Sequence, residues 1–408
     1  MYRALCARFG NGIARIYIAL TTLSTGMFIS RFLAISLTAL SALVSWPFTA
    51  VLGLPIVLEM LLIRTRELAA TFFNYALLSG TTLIAALIFV DSYYFGKTVL
   101  APLNIVLYNV FSSHGPNLYG IEDVKYYVKN LLLNWNVVAL LAPFSVPVAG
   151  LAYVWTRSSP KLAHPVARDF SFVYWRRYLP VLFIFLTVAL WLAIFFWQPH
   201  KEERFLFPIY PLLAVLAAVT LDALPRVGVY LLGGGSRSFW QGCIAMWLLI
   251  FSVLSVSRSA ALYRNFSAPV EVFKGLNEHL ASISNRNISH FTRNNDTVIN
   301  VCIGKEWYRF PSSFFLPSSG RSDGGRLWTT ELKFIKSEFA GLLPKPYTVG
   351  SIPQITRAIP TEMNDMNREE VSRYVDVEQC DYLVDLETPD TTELEPNFAE
   401  QVRNTLVY

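Results

Sequence analysis

The residues from Gln198 to Pro208 read QPHKEERFLFP and separate two long apolar runs. Neither the run before them, Leu179–Trp197, nor the run after them, Leu206–Leu221, holds a charged residue. Ionisable groups at the edge of a bilayer are costly, so by default they indicate a functional site. The alternative is a short solvated turn whose charges only keep the two runs from sinking into the membrane. The titratable side chains of this stretch are His200, Lys201, Glu202, Glu203 and Arg204.

The composition places the whole chain in a membrane. Of its 408 residues, 53% are hydrophobic and only 15% are charged, whereas about 25% are charged in soluble domains. Several windows exceed the roughly 18 apolar residues that indicate a span. The net charge of +5 is modest and reflects membrane topology, so we expect no nucleic-acid partner. These features predict an all-α polytopic membrane bundle.

About seven apolar segments follow one another along the chain. The second is long and contains Pro47 and Pro55, which predicts either a kinked span or a span followed by a helix at the interface. The segments are Ile16–Ile29, Leu33–Ile63, Phe72–Val90, Leu131–Trp155, Leu179–Trp197, Leu206–Leu224 and Phe239–Val256.

The basic residues between these segments predict the orientation. If the chain crosses seven times, they all fall on one side, which the positive-inside rule makes cytoplasmic. They are Arg3, Arg8, Arg15, Arg64, Arg66, Arg157, Lys161, Arg168, Arg176, Arg177, Arg226 and Arg237. The opposite, lumenal face then holds the loops 91–130 and 198–205. It also holds a C-terminal domain, residues 258–408, that follows the transmembrane domain of residues 1–257.

The predicted lumenal domain has a different composition. It carries three Asn-x-Ser/Thr acceptor patterns, and such patterns are glycosylated on the lumenal side. Thr297–Ile303 and Tyr382–Leu386 have the pattern of buried strands, and Leu332–Ile335 is a weaker match. We expect a small mixed α/β domain, in which Cys302 and Cys380 could pair. The glycosylation candidates are Asn265, Asn287 and Asn295.

The loop 91–130 is aromatic and apolar, which is typical of a segment lying along the membrane interface. A re-entrant structural helix is the alternative. Residues of this loop that we expect to contact lipid or an acceptor are Tyr93, Tyr94, Asn104, Tyr108 and His114.

Cations and carboxylates occur together at the predicted lumenal rim. Basic side chains there could bind a phosphate on a lipid, and an acidic group could act as a base. Structural alternatives exist: Glu202 could simply pair with Arg204, His200 could cap a helix end, and Asp91 could cap the turn after its span. No His/Cys/Asp group has metal-ligand spacing, so we expect no bound cofactor or metal. The candidates are Lys97, His200, Lys201 and Arg204 for a phosphate, Asp91 and Glu202 for a catalytic base, and Glu203 for acid, base or positioning work.

The stretch HKEERFLFP at His200–Pro208 resembles the HKE-x-x-F motif of glycosyltransferase family 22. Within that family the chain is most similar to the α-1,2-mannosyltransferases of asparagine-linked glycosylation. Further matching stretches are DSYYFGK at Asp91–Lys97, APLNIVLYNVF at Ala101–Phe111, HGPNLYG at His114–Gly120, VCIGKEWYRFPSSFFLP at Val301–Pro317, MNDMN at Met363–Asn367 and CDYLVDL at Cys380–Leu386.

The resemblance implies a GT-C fold and an inverting transfer in the endoplasmic reticulum membrane. The donor would be dolichyl-phosphate mannose, and the acceptor an oligosaccharide on dolichyl diphosphate. Family members begin with further membrane helices, whose first lumenal loop carries the acidic base. The first carboxylate here is Glu59, so we expect the chain to be N-terminally incomplete relative to the family. The resemblance then implies that the family's catalytic base lies upstream of Met1.

Two other functions are compatible with the sequence. A non-catalytic membrane protein that binds or assembles lipid-linked sugars would keep the lipid site and lack the base. A transporter is a weaker match, because no paired half-repeats or midplane ionisable groups occur.

Overall fold

The computed structural model describes residues 27–111, 116–158, 179–231, 237–283, 297–305, 312–321, 327–398 and 406–407. The chain divides into two compact units. The first contains the described residues up to Arg258 together with Ile352–Arg357, and the second contains Ser259–Ser351 and Ala358–Tyr408.

The first unit is helical. Its α-helices are α1 (Met27–Leu40), α2 (Leu54–Val57), α3 (Thr65–Phe95), α4 (Ala101–Val106), α5 (Val124–Leu141), α6 (Ser145–Ser158), α7 (Leu179–Trp197), α8 (Tyr210–Leu231) and α9 (Arg237–Phe266). Short 3₁₀- or π-helical stretches connect several of these helices. They are Ser41–Ser45, Pro47–Gly53, Leu58–Ile63, Leu107–Phe111, Pro116–Tyr119, Ala142–Phe144 and Glu203–Ile209.

In the described part of the chain, five helical stretches are long and apolar enough to cross a membrane. They are Thr65–Phe95, Val124–Val154, Leu179–Trp197, Glu203–Leu231 and Ser238–Phe266. Each covers one of the predicted segments, apart from Trp155 at the end of the fourth, so the polytopic helical fold is confirmed. The first predicted segment, Ile16–Ile29, lies mostly outside the described residues.

The helices extend beyond the apolar runs that predicted them. Helix α3 has 31 residues, which makes it about 46 Å long at 1.5 Å per residue. A bilayer core is about 30 Å thick, so one or both ends of this helix reach the interface. The candidate residues Asp91, Tyr93 and Tyr94 lie in its last turns.

The predicted segment Leu33–Ile63 is broken at Trp46. This residue is extended, with φ −148° and ψ 117°, because the proline that follows disfavours the helical conformation. Two shorter apolar helical stretches result, Arg31–Ser45 and Pro47–Ile63. The break that Pro47 predicted is therefore present.

The core of the first unit is aromatic. Trp191 of α7 is fully buried, and its ring centroid lies 5.8 Å from that of Trp46. The Trp191 indole donates a hydrogen bond to the Phe205 carbonyl at 2.9 Å, and the Trp46 and Phe205 ring centroids are 5.0 Å apart. These contacts fix the start of the Glu203–Ile209 turn against the bundle.

The second unit is built on a five-stranded sheet. Its strands are β1 (Thr297–Ile303), β2 (Ser319–Arg321), β3 (Leu327–Phe334), β4 (Tyr382–Asp385) and β5 (Leu406–Val407), in the order β2-β3-β1-β4-β5. Strand β2 is antiparallel to β3, and the other pairs are parallel. Parallel neighbours need crossover connections, so the mixed α/β prediction is confirmed, with its three predicted strands in β1, β3 and β4.

One helix covers the sheet. Helix α10 (Ala268–Ile283) buries Phe273, Leu276 and Leu280 against alternate residues of β1, such as Ile299 and Val301. Helix α11 (Ser312–Phe315) is short, and so is α12 (Ile352–Arg357), which belongs to the first unit. Alternation along β1 directs successive side chains to opposite faces, so the sheet has a second apolar layer.

That second layer contains a disulfide. Cys302 of β1 and Cys380 are bonded, with their Cα atoms 5.7 Å apart. Cys302 is fully buried beside Ile335 and Leu383. The pairing that the sequence left open is therefore present, and it closes a loop between residues 78 positions apart.

A buried ion pair lies beside the ends of β1 and β4. The Lys305 ammonium contacts the Asp385 carboxylate at 2.9 Å and donates to the carbonyls of Leu386 and Pro396. Its three N–H donors are therefore all used, and the pair is structural.

Candidate functional site

The turn between α7 and α8 is held to the segment 119–122 by His200. This side chain is 9% exposed; its Nδ1 lies 2.7 Å from the Gly120 carbonyl oxygen and its Nε2 lies 3.0 Å from Glu202 Oε1. Both ring nitrogens therefore have an oxygen partner, and His200 links the Gly120 carbonyl to the Glu202 carboxylate.

Lys201 makes a second link between the same segments. Its side chain is 6% exposed, and its ammonium donates to the Glu122 carbonyl at 2.9 Å and to the Gln198 carbonyl. A backbone hydrogen bond from Glu122 to the Pro199 carbonyl, at 3.0 Å, joins them again. Lys201 thus directs its charge to main-chain oxygens inside the turn.

Glu202 fixes the exposed cation of the turn. Its two carboxylate oxygens accept from Arg204 Nη2, at 2.9 Å, and from Arg204 Nε. Its backbone N–H donates to the Tyr127 hydroxyl at 3.3 Å. Burial raises the pKa of Glu202, but hydrogen bonds from Arg204 and His200 outweigh it, so the pKa lies below its ordinary value. The carboxylate therefore stays ionised at neutral pH.

Arg204 is the cation that faces outward. Its side chain is 70% exposed, and its guanidinium lies over the Phe205 ring at 5.9 Å from the centroid. Glu202 uses two of its five N–H donors, and no other described residue takes the rest. A guanidinium fixed on one edge presents its other edge to a ligand, and this geometry suits a phosphate.

A pocket of about 430 Å³ opens at this cluster. It is lined by Tyr119, Gly120 and Glu122 from one segment and by His200, Lys201, Glu202 and Arg204 from the other. The rim cluster, meaning these seven residues, therefore lies beside a cavity large enough for a small polar group. The predicted phosphate-binding residues of the turn meet here, although His200 and Lys201 already have main-chain partners.

The other predicted residues form a separate group at the end of α3. Asp91 Oδ2 accepts from the Ala101 N–H at 3.2 Å, so this carboxylate contacts the start of α4. Lys97 is exposed. Within the described residues, neither Asp91 nor Lys97 makes a hydrogen bond or ion pair with the rim cluster. Their roles as base and phosphate ligand stay predictions.

The base that the family resemblance implied is not part of either group. It was expected upstream of Met1, and Met1 itself lies outside the described residues, which begin at Met27. A base in that position therefore stays a prediction. Within the rim cluster, Glu122 and Glu202 carry carboxylates; Glu203 follows in the turn, and Asp91 lies at the end of α3.

Helix α12 holds the group at the end of α3 in place. Arg357 donates through Nε and Nη2 to the Tyr93 carbonyl, at 3.2 and 2.6 Å, and its guanidinium lies 5.5 Å from the Tyr93 ring centroid. Thr356 Oγ1 donates to the Tyr94 carbonyl at 2.7 Å. Gly96 has φ +69°, and a side chain there would crowd Arg357. Carbonyls left unpaired at a helix end are thereby satisfied.

The remaining predicted residues fall partly inside and partly outside the described ranges. Asn104 is exposed and Tyr108 is half-buried on the same apolar stretch. Asn265 is exposed near the end of α9. His114, Asn287 and Asn295 lie outside the described residues. In the described ranges, no three His, Cys, Asp or Glu residues are grouped as metal ligands.

Sequence reasoning missed the partners that build the rim cluster. Gly120 and Glu122 contribute main-chain carbonyl oxygens. Every residue type has such an oxygen, so the sequence does not reveal these contacts. Asn134, which donates to Glu203 Oε1 at 2.7 Å, sits in an apolar run and was read as part of a span. Arg357 lies 264 residues from Tyr93, beyond any local pattern.

Replacing Lys201 by methionine tests the turn itself. We expect Lys201→Met to lower stability by about 2 kcal/mol, because two carbonyls lose a charged hydrogen-bond donor. The measurement is thermal unfolding in detergent, with the exposed Lys129→Met as the matched control. Equal melting temperatures for the two variants would contradict the structural role of Lys201.

Fold and site together define a class of protein. It is a polytopic membrane protein with a second, disulfide-bonded α/β unit. Near the start of one span, a guanidinium held by a carboxylate lies beside a pocket. Comparisons with known proteins narrow this class. The model of the Alg9-like mannosyltransferase family matches residues 30–317, a range that includes the rim cluster.

Curated relatives match almost the entire chain. The α-1,2-mannosyltransferase algn-9 of Caenorhabditis elegans is 40% identical over 99% of this chain and 67% of its own length. The α-1,2-mannosyltransferase ALG9 of Homo sapiens is 39% identical over 98% of this chain and 65% of its own length. The α-1,2-mannosyltransferase ALG9 of Saccharomyces cerevisiae is 32% identical over 91% of this chain and 58% of its own length. The chain spans about two thirds of the length of the first two.

The chain belongs to the Alg9-like mannosyltransferase family, which is a family of glycosyltransferases. The resemblance that the sequence motifs predicted is confirmed. No solved structure matches the chain.

Proposed function

We propose that this protein transfers mannose from dolichyl-phosphate mannose to a dolichyl-diphosphate-linked oligosaccharide, forming an α-1,2 linkage at the lumenal face of the endoplasmic reticulum. The observation that carries the proposal is Arg204. It is an exposed guanidinium, held by Glu202 beside a pocket, and it lies one residue past the start of the apolar stretch Glu203–Leu231. A phosphate on a membrane lipid would meet that position.

Arg204 would act on the leaving group. In the transfer, an acceptor hydroxyl oxygen bonds to the anomeric carbon while the bond from that carbon to the phosphate oxygen breaks. The electron pair leaves on the phosphate, and the hydroxyl proton passes to a base. A cation already in place stabilises the developing phosphate charge without reorganisation.

The two candidate bases differ in their surroundings. Glu202 is bonded to Arg204 and His200 and has a lowered pKa, which makes it a weak proton acceptor at neutral pH. We therefore assign Glu202 to positioning Arg204. Asp91, which has no cationic partner among the described residues, remains the candidate base within this chain, and a base upstream of Met1 is the alternative that the family resemblance implies.

His200 and Lys201 would support the donor site indirectly. Both tie the turn to the segment 120–122 through main-chain oxygens. The Lys201 ammonium also raises the local positive potential near the pocket, which favours an anionic lipid headgroup. Lys97 would be a further ligand of the donor phosphate, and Tyr93, Tyr94, Asn104 and Tyr108 would contact lipid or acceptor. His114, the remaining candidate for that contact, lies outside the described residues.

The disulfide supports a lumenal location for the second unit. Cys302 and Cys380 are bonded, and disulfides persist in oxidising compartments such as the endoplasmic reticulum lumen. The positive-inside pattern and the acceptor patterns at Asn265, Asn287 and Asn295 favour the same side. The two lines of support are independent, because one is redox chemistry and the other is charge distribution.

Glycosylation checks this topology. We expect the chain made in microsomes to lose mass on treatment with an endoglycosidase, because at least one of the three acceptor asparagines faces the lumen. A variant with all three changed to glutamine should show no such loss. Cleavage of residues beyond Ser257 by protease added to sealed microsomes would contradict the orientation.

A transfer assay tests the function. The chain, and the longest in-frame form that its transcript encodes, are each incubated with dolichyl-phosphate mannose and a mannose-bearing lipid-linked acceptor. Transfer by either form supports the proposal. Absence of transfer by both forms overturns it and leaves a protein that binds lipid-linked sugars without catalysis.

A further inference from the structure

Two adjacent carboxylates in the turn have opposite surroundings. Glu202 is hydrogen-bonded to both Arg204 and His200. Glu203 instead accepts one hydrogen bond, from the Asn134 amide to its Oε1 at 2.7 Å. Among the described residues no cation pairs with it, and no donor reaches its second oxygen. Glu203 thus has free acceptor capacity on its second carboxylate oxygen.

The position of this carboxylate makes its state unusual. Glu203 begins the apolar stretch Glu203–Leu231, and Asn134 lies inside the stretch Val124–Val154, one turn into the apolar run that starts at Leu131. Both side chains are half-buried. A carboxyl group with an unused oxygen at such a place is unfavourable, so it indicates a ligand that completes its hydrogen bonding.

Tyr210 adds a second polar group whose hydrogen bonding is incomplete. Its hydroxyl is buried and forms no hydrogen bond of regular geometry within the described residues, although the Asn134 amide approaches it closely enough to act on it as a looser hydrogen-bond partner. Its ring packs edge-on against Trp135 at 5.4 Å, beside Asn134 on α5. Buried polar groups are normally paired, so this hydroxyl also lacks its complement.

The missing complement must donate a hydrogen bond to Glu203. A phosphodiester offers only acceptor oxygens, whereas sugar hydroxyls both donate and accept. Glu203 and Arg204 are consecutive, with Cα atoms about 3.8 Å apart. In the 3₁₀ turn Glu203–Ile209, consecutive side chains diverge by about 120°. Their two heads can therefore contact different parts of one glycosyl phosphate.

We propose that Glu203, with Asn134 and Tyr210, binds hydroxyl groups of the donor hexose while Arg204 binds its phosphate. This inference rests on the proposed function, since it divides the same donor between two neighbouring residues. Glu203 is the sugar-contacting residue. Asn134 is a positioning residue, because its amide fixes the carboxylate.

Binding of two lipids separates sugar recognition from phosphate recognition. The dissociation constants of dolichyl-phosphate mannose and of dolichyl phosphate are measured for the wild-type chain and for Glu203→Ala. Loss of a charged hydrogen bond should weaken binding of the mannosyl lipid by about tenfold or more. Binding of dolichyl phosphate, which has no sugar, should be unchanged. Arg204→Ala should weaken both.

Two further variants keep this test independent of folding. Glu203→Gln retains an oxygen that accepts from Asn134, and we expect it to fold normally and to show a smaller loss for the mannosyl lipid alone. Glu67→Gln removes an exposed carboxylate in the first turn of α3 and should change neither constant.

The outcomes are distinct. If Glu203→Ala weakens both lipids equally, or neither, the sugar-binding role is overturned. The binding constants are measured without turnover. They therefore test the sugar-binding role of Glu203 even if no form of the chain transfers mannose and the proposed function fails.

Discussion

Replacing Arg204 by alanine should lower mannose transfer by about a hundred- to a thousand-fold, the usual effect of removing one positioned electrostatic group. The side chain is exposed, so its interaction with Glu202 contributes little to stability, about 1 kcal/mol at most. The loss should therefore appear in turnover, with membrane insertion and the melting temperature preserved. The measurement is kcat/KM for transfer from dolichyl-phosphate mannose.

A matched control exists on the same span. Arg226 also pairs with a carboxylate, that of Asp222 four residues earlier, near the opposite end of α8. Arg226→Ala removes an arginine of similar pairing from the predicted cytoplasmic side, and transfer should stay within about threefold of wild type. Transfer by Arg204→Ala within the same range would remove Arg204 from the donor site.

Arg204→Lys refines the result. Lysine keeps the charge but loses the planar fork of donors, one edge of which binds Glu202. We expect activity between those of alanine and wild type. Recovery to the wild-type rate would show that charge alone suffices.

Removing the disulfide should give the second large effect. The bond joins residues 78 positions apart, and closing a loop of that length is worth about 4 kcal/mol in the chain-entropy description. The Cys302→Ala, Cys380→Ala double variant should therefore melt at a lower temperature in its second unit and become sensitive to protease there. Both are measured on the purified chain with and without reductant.

Cys243 provides the control for this experiment. It is a free cysteine in α9, so Cys243→Ala should leave both melting and protease sensitivity nearly unchanged. Reductant should destabilise the wild-type chain and have no effect on the double variant. Identical melting of wild type with and without reductant would contradict the structural role of the bond.

Much of the fold could be predicted because single-residue properties decide it. Apolar length marks a span, and the β-branched run of β1, TVINVCI, marks a buried strand. Pro47 marked the break in Leu33–Ile63, since proline constrains the residue before it. In each case the responsible interaction is local or is with the surrounding lipid.

The candidate site was predicted only in part. Charge at the end of an apolar run identified His200, Lys201 and Arg204, but not how they are used. Two of the three bind main-chain oxygens of a segment about 80 residues away, and any residue type could supply those oxygens. The sequence could therefore name the cations without distinguishing the outward-facing one from the buried ones.

Long-range pairs explain the other omissions. Asn134 and Glu203 are 69 residues apart, and Arg357 caps a helix that ends far earlier in the chain. Neither pair has a spacing that a helix or strand period would reveal. These contacts can be identified only once the positions of the helices that carry them are known.

Crosslinking a photoreactive polyprenyl phosphate to the chain tests the central claim most directly, because it reports where the lipid phosphate binds. The crosslinked peptides, mapped by mass spectrometry, should contain residues 119–122 and 200–204, and Arg204→Ala should abolish the labelling while Arg226→Ala leaves it intact. Labelling elsewhere in the chain, with equal yield from wild type and Arg204→Ala, would contradict a donor site at this rim.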